Sequence, residues 1–383
     1  MRTHLTAVGL TLILAVPLHA QSLDIGAART GVSIGNSPVW TGLRINWRDR
    51  AVERVHGVNL TLWQPRDNPD FAMNGLALGV AGPGVGTLNG VGVGLGGVAA
   101  DRAIRGIAVG GLGVVSQGPL NGAAIAGLGI VTEGGMRGLS VAGLGVVSDG
   151  GMTGVTLAGL GVVSDGGMTG VTVAGLGTVS EGAITGISIA GLGVVSEGGV
   201  RGLNVAGLGV VTEGSTLGVS IAGLGTVAEG DMLGVNLGGL ALVAEGRVQG
   251  LSAAGIGIVA EGGTRGIHVG GAAVIGDGAL EGLTASLGAV ESRTLIRGVT
   301  IGGYRVKAPL VEGLSAGVVM LRTEELRGIG IAGYNEVRGR QTGLTIGIYN
   351  SAGDLHGVQI GLLNRAQNNP PPFRWLPLVN AHF

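Results

Sequence analysis

The sequence contains no cysteine, a single lysine (Lys307) and only ten aromatic residues among 383. Without cysteine there are no disulfides, no thiolate metal sites and no cysteine-linked lipid anchor. Charge is scarce too: Asp, Glu, Lys and Arg make up 12% of the chain, against about 25% in typical soluble domains. The formal net charge is −1, which leaves no electrostatic footprint for a nucleic-acid partner. After the first twenty residues no long apolar run is free of glycine, so no transmembrane helix is expected. The aromatic residues avoid the middle of the chain. Trp40, Trp47, Trp63 and Phe71 precede residue 72, and Tyr304, Tyr334, Tyr349, Phe373, Trp375 and Phe383 follow residue 303.

Glycine fills the space that these absences leave, with 83 residues where average usage is about 7%. A three-residue collagen period is absent, and the low charge argues against a disordered chain. The glycines instead mark a sixteen-residue repeat. GLGVVSDGGMTGVTLA (143–158) and GLGVVSDGGMTGVTVA (159–174) differ only at Leu157 and Val173. One glycine of the unit recurs every sixteen residues from Gly90 to Gly298, and then at shorter steps at Gly313, Gly328, Gly343 and Gly357. Such a period signals a repeat architecture. The chain therefore divides into a leader (1–20), an N-terminal flank or cap with irregular repeats (21–89), the regular array (90–312) and a C-terminal part of shorter repeats with a Pro-rich apolar tail (313–383). The leader has a charged start at Arg2, an apolar stretch from Leu5 to Leu18 and a Leu-His-Ala site at 18–20. These are the marks of a secretory signal peptide.

Within a unit, Val, Ile and Thr favour strands, while Asp-Gly and Glu-Gly favour turns. No helical periodicity runs over a useful length, so the expected fold class is all-β. Two arrangements compete. In a β-solenoid of sixteen-residue coils, each unit stacks on its predecessor. Val155 and Leu157 then point inward from one strand, and Leu160 and Val162 from a second. The small polar row (Ser140, Thr156, Thr172, Ser188, Asn204 and on to Thr300) faces outward, as do apolar docking positions such as Ala158 and Val163. In the alternative, an antiparallel meander closed as an outer-membrane β-barrel, each Asp-Gly or Glu-Gly is a hairpin turn. Identical turns and the missing aromatic girdles favour the solenoid. The turn acids, from Glu133 and Asp149 to Asp277, favour the meander, because in a solenoid they stack as like charges.

The units GLTIGIYNSA (343–352) and GVQIGLLNRA (357–366), followed by the tail LPLVNAHF (376–383), resemble a surface-repeat family of bacterial cell-envelope proteins. Its members carry tandem Gly-Leu/Val-x-Ile-Gly-Leu-x-Asn units. The resemblance covers about 313–383, and the central array lacks the asparagine. It implies an exported protein of the cell surface or outer membrane of a Gram-negative-type envelope, and it brings no catalytic residues.

No constellation for chemistry emerges. GVGVGLGG (90–97) fits loose dinucleotide patterns, but no helix pattern follows it. His56, His268, His356 and His382 lack metal-ligand spacing, and His268 reads as a solvated substitute for serine. Ser148 and Ser164 are copies of one another, whereas a nucleophile needs a unique site. The acid row and the Ser/Thr/Asn row are the two candidates for binding, the first for cations and the second for a glycan or another protein chain. The expectation is a non-enzymatic envelope scaffold, structural or adhesive, without cofactor, metal or catalytic residues. Its partners are envelope components, and association with a membrane is left open. An outer-membrane barrel of transport or pore type is the alternative. An enzyme with its site in the flank would rest only on the tryptophans and charges of residues 40–66.

Overall fold

The computed structural model describes residues 22–66 and 68–383, so the leader assigned to 1–20 lies outside it. Every regular element among the described residues is a β-strand. The chain divides into two compact units, one ending at Arg137 and one spanning Gly138–Phe383.

In the second unit a repeat contains two strands and two corners. Met152–Ala158 is followed by a corner at Gly159 and Leu160, then by Gly161–Ser164 and a second corner over residues 165–167. Two direction changes per repeat return the chain to its starting direction. Met152–Ala158 consequently pairs in parallel with Met168–Ala174, each residue opposite the one sixteen positions later. Gly161–Ser164 pairs in the same way with Gly145–Ser148 on one side and Gly177–Ser180 on the other. The register holds through Leu280–Ser286 against Leu295–Gly302. The fold is a β-solenoid. The antiparallel meander and the membrane barrel are overturned, because neighbouring repeats run parallel. Asp-Gly and Glu-Gly form one corner of a two-strand coil, not the turn of a one-strand hairpin.

From Arg305 to Ala366 the backbone is extended without interruption. The coils here are one or two residues shorter, with Gly298 opposite Gly313 and Gly343 beneath Gly357. Trp375–His382 then reverses and pairs antiparallel with Gly357–Arg365, closing the end of the stack.

The first unit is built similarly, with less regular coils. Thr30–Gly35 pairs in parallel with Val39–Asn46, which pairs with Arg54–Thr61, and the ladder continues through Ala72–Gly79 and Gly84–Gly94. Its first strand, Ser22–Ala27, is antiparallel to Thr30–Gly35. Trp40, Phe71, Met73, Leu88 and Ile104 fill its interior.

The facing of the array strands differs from the sequence reading. Met152, Thr156 and Ala158 point inward, whereas Val155 and Leu157 are each 37% exposed. On the short strand Val162 and Ser164 point inward, as expected for Val162, but Leu160 stands exposed at the corner. Val163 faces outward as expected and Ala158 does not. The cause is the tightness of the corner. A Cβ on Gly238, which occupies the Ala158 position, would lie 3.0 Å from Leu242 Cδ2, and one on Gly270 would lie 2.9 Å from Val274 Cγ2. Only a very small residue fits inside that corner. Alternation along the strand then sends the larger Leu157 and Val155 outward.

Candidate interaction surface

The inverted facing puts the small polar row inside. Thr156, Ser188, Asn204, Ser220, Asn236, Ser252, His268 and Thr284 are all buried. A glycan or partner chain cannot reach that ladder, so its reading as an outward binding row is corrected. His268 is fully buried instead of solvated, and burial lowers its pKa below the usual histidine value. The Arg265 backbone opposes that shift, although neither ring nitrogen reaches hydrogen-bond geometry. A charged imidazole has no counter-charge there and is disfavoured by desolvation.

The inward serines of the short strands have a local task. Ser164 Oγ donates to the Gly150 carbonyl at 2.9 Å, Ser180 to Gly166 at 2.9 Å and Ser196 to Gly182 at 3.0 Å. Each hydroxyl thus ties its coil to the second corner of the coil before. Nearer the C-terminus the interior carries amides. Asn335 Nδ2 donates to Asn350 Oδ1 at 2.8 Å, and Asn350 Nδ2 donates to Asn364 Oδ1 at 2.7 Å. The asparagines of IYN and LLN are therefore rungs of one internal ladder.

The acids stand at the second corner. The backbone N–H groups of Asp165 and Glu181 donate to the carbonyls of Ser148 and Ser164, one coil earlier, which stacks the acids in a row. Asp149, Asp165, Glu181, Glu197, Glu213, Glu229, Glu245 and Glu261 are exposed there. Among the described residues no three His, Asp or Glu side chains converge on a common point suited to a metal ion. A neighbouring row mixes charges. Arg297 bonds Glu312 at 2.8 Å and Glu281 at 3.4 Å, and Arg327 bonds Glu312 at 3.3 Å. Exposed pairs of this kind contribute little to stability, because water screens the charges and the long side chains lose freedom in forming them.

Elsewhere the exterior is aliphatic. On the long-strand face run two rows, Val155, Val171, Ile187, Leu203 and Leu157, Val173, Ile189, Val205. At the first corner, opposite the acids, stand Leu160, Leu176, Leu192, Leu208, Leu224 and Leu240, each close to half exposed. Around that corner, on the short-strand face, follow Val163, Val179, Val195, Val211, Val227, Val243, Val259 and Ile275. This last row ends where Glu291 and then Lys307 take the same place. The sequence pointed to Val163 as an outward position but missed the other rows. The overlooked signal was the unvarying Ala, Gly or Ser just before the corner glycine.

The flank at 40–66 holds a closed polar cluster. Arg44 and Asp49 are both fully buried and form an ion pair. Arg44 also donates to Asn59 Oδ1 at 2.7 Å and Asn36 Oδ1 at 3.0 Å, and Thr61 Oγ1 donates to Asp49 Oδ2. Trp47 and Trp63 stack outside it with ring centroids 6.1 Å apart. GVGVGLGG begins inside the strand Gly84–Gly94, and no helix follows it.

The architecture defines a tandem-repeat β-solenoid with sixteen-residue coils. Compared with protein-family models, curated proteins and solved structures, the chain matches none.

Proposed function

We propose that this protein is an exported, non-enzymatic scaffold of a bacterial cell envelope, structural or adhesive in role. The observation that supports it most is register. Because Val155 stands opposite Val171, and Val171 opposite Ile187, each outward side chain is repeated along the stack by a chemically equivalent one. Such a surface offers many equal contacts and no unique point, which suits extended, multivalent attachment better than turnover of one substrate. Ser164, one of the serines weighed as a nucleophile from sequence, is occupied in holding a corner in place, as is its copy Ser180. The resemblance of 343–366 to envelope surface repeats agrees with this location.

The test is to fuse the leader, residues 1–20, to a phosphatase that is active only after export, and in parallel to determine the N-terminus of the mature chain. Activity with a new terminus at Gln21 is the expected result. An uncleaved chain retained in the cytoplasm rejects the envelope location.

A further inference from the structure

We propose that the aliphatic exterior of Gly138–Phe383 is a lipid-binding surface, with the leucine corner sunk into the hydrocarbon of one leaflet and the acid corner left in water. This deepens the scaffold reading by naming the partner. It depends on that reading for which membrane is met, not for the chemistry.

The first argument is extent. From Leu139 to Ile275 the four outer rows, represented in one coil by Val155, Leu157, Leu160 and Val163, contain only Val, Leu, Ile and Ala. Nine coils at about 4.8 Å, with rows some 5–7 Å apart, give an apolar area on the order of 800 Å². Monomers in water rarely expose a contiguous patch above a few hundred Å².

Extent alone would also suit a second copy, since about 800 Å² per partner is a standard protein interface. Shape decides against it. The rows occupy the long-strand face, the corner and the short-strand face in succession. A second solenoid laid face to face covers one side of that edge and leaves the other in water. Acyl chains conform to both sides at once. The chemistry agrees. Protein interfaces carry about one hydrogen bond per 100–200 Å² together with aromatic or arginine anchors, and these four rows supply neither over 139–275.

The distribution of polar groups agrees as well. On the long strand the hydroxyls, amides and imidazole of the Thr156 row lie inside, beside an apolar core of residues such as Met152 and Val162, while the flanking Val155 and Leu157 rows lie outside. Structures surrounded by lipid show this polar-in, apolar-out alternation. Charge sits at the corner opposite the leucines and, as Arg201 and Arg265, at the start of the long strand beside it, and the leucine-corner row itself ends in aromatic residues. The Tyr304 N–H bonds to Gly288 in that row, and further along Tyr334 stacks on Tyr349 at 5.0 Å. Trp375 lies 6.2 Å from Tyr349, with the Arg365 guanidinium 5.2 Å from its ring. Tyrosine and tryptophan, each with a polar atom on an apolar ring, settle where hydrocarbon meets headgroups.

The test uses the full mature chain and phosphatidylcholine vesicles in a density gradient. The protein should float with the vesicles and stay bound in 1 M salt, since the attraction is apolar. The triple variant Leu176→Gln, Leu192→Gln, Leu208→Gln should partition roughly tenfold or more weakly, having lost exposed aliphatic area. The triple variant Asp165→Asn, Glu181→Gln, Glu197→Gln should float like the parent. Far-UV circular dichroism checks that both keep their strands. Brominated lipids should quench a tryptophan placed by Leu192→Trp and leave one placed by Glu197→Trp bright. A parent chain that stays at the bottom, that dimerises through the leucine corner instead, or whose Glu197→Trp probe is quenched equally overturns the proposal. None of these outcomes depends on the leader fusion, so the two tests fail separately.

Discussion

Gly170 sits directly against Gly154 of the preceding coil: a Cβ added to Gly170 would lie 2.1 Å from the Gly154 carbonyl oxygen. Both glycines have φ near +120°, where L side chains are strained. The same residue recurs coil after coil because each glycine is both the close neighbour of the one before and the platform for the next. Gly170→Ala therefore combines backbone strain with a clash that only a shift of the stack relieves. We expect a loss of about 2–4 kcal/mol, read as a lower denaturation midpoint in guanidinium. Val171→Ala, next to it and facing outward, should cost less than about 1 kcal/mol. Equal effects at the two positions would mean that the glycine is not a steric requirement.

That contact also explains which parts of the fold the sequence makes legible. The sixteen-residue period, the strand character and the stacking of repeats follow from glycine spacing and from Val/Ile/Thr content. The facing of the strands does not follow from hydrophobicity, because Thr156 is buried and Leu157 exposed. The controlling residue is Ala158, whose small size admits it to the inside of the corner. A rule that places aliphatic residues inside inverts every long strand of the array, and with it the identity of the outer surface. The Arg44–Asp49 pair was equally hidden, since a charge-rich stretch ordinarily faces water.

That buried pair leads to a second prediction. Asp49 receives Arg44, Asn46, Asn59 and Thr61, so its charge is compensated from several sides. Arg44→Met removes the only cation of this cluster and leaves a buried carboxylate without a counter-charge. The expected cost is about 3–5 kcal/mol. The double variant Arg44→Met, Asp49→Leu should recover a large part of that loss, and thermal unfolding of the two variants measures the difference. No recovery would mean that the neighbouring amides depend on the pair as much as it depends on them.

His268 introduces a pH dependence that a serine there would lack. Its folded pKa lies below the ordinary 6.5 because burial disfavours the imidazolium. Above about pH 6.5 both the folded and unfolded chains hold it neutral, and it does not influence the folding equilibrium. As pH falls beneath that value the unfolded chain takes up the proton first, so stability drops until the folded pKa is reached. In His268→Ser, matching Ser252 one coil earlier, the acid-side slope of unfolding free energy between pH 6.5 and 5 should be shallower than in the parent. Parallel slopes would show that His268 is protonated without penalty.

The asparagine ladder provides a last test, at the end of the stack. Asn350 accepts from Asn335 and donates to Asn364, and it also donates to the Ile360 carbonyl at 3.0 Å. Asn364 in turn donates to Gly361 at 3.0 Å and to Leu376 at 3.3 Å, in the strand that closes the solenoid. Asn350→Leu removes the middle rung and leaves Asn364 Oδ1 unpaired between the sheets, at a cost of about 1–3 kcal/mol, whereas Asn335 Nδ2 keeps the Ala332 and Ile346 carbonyls. The effect should be local, because a repeat protein couples chiefly to nearest neighbours. Hydrogen exchange should quicken over about 328–382, while amides of Met152–Ala158, many coils away, keep their protection. Loss of protection throughout Gly138–Phe383 would mean that the closing strand and its amide rungs govern the stability of the whole unit.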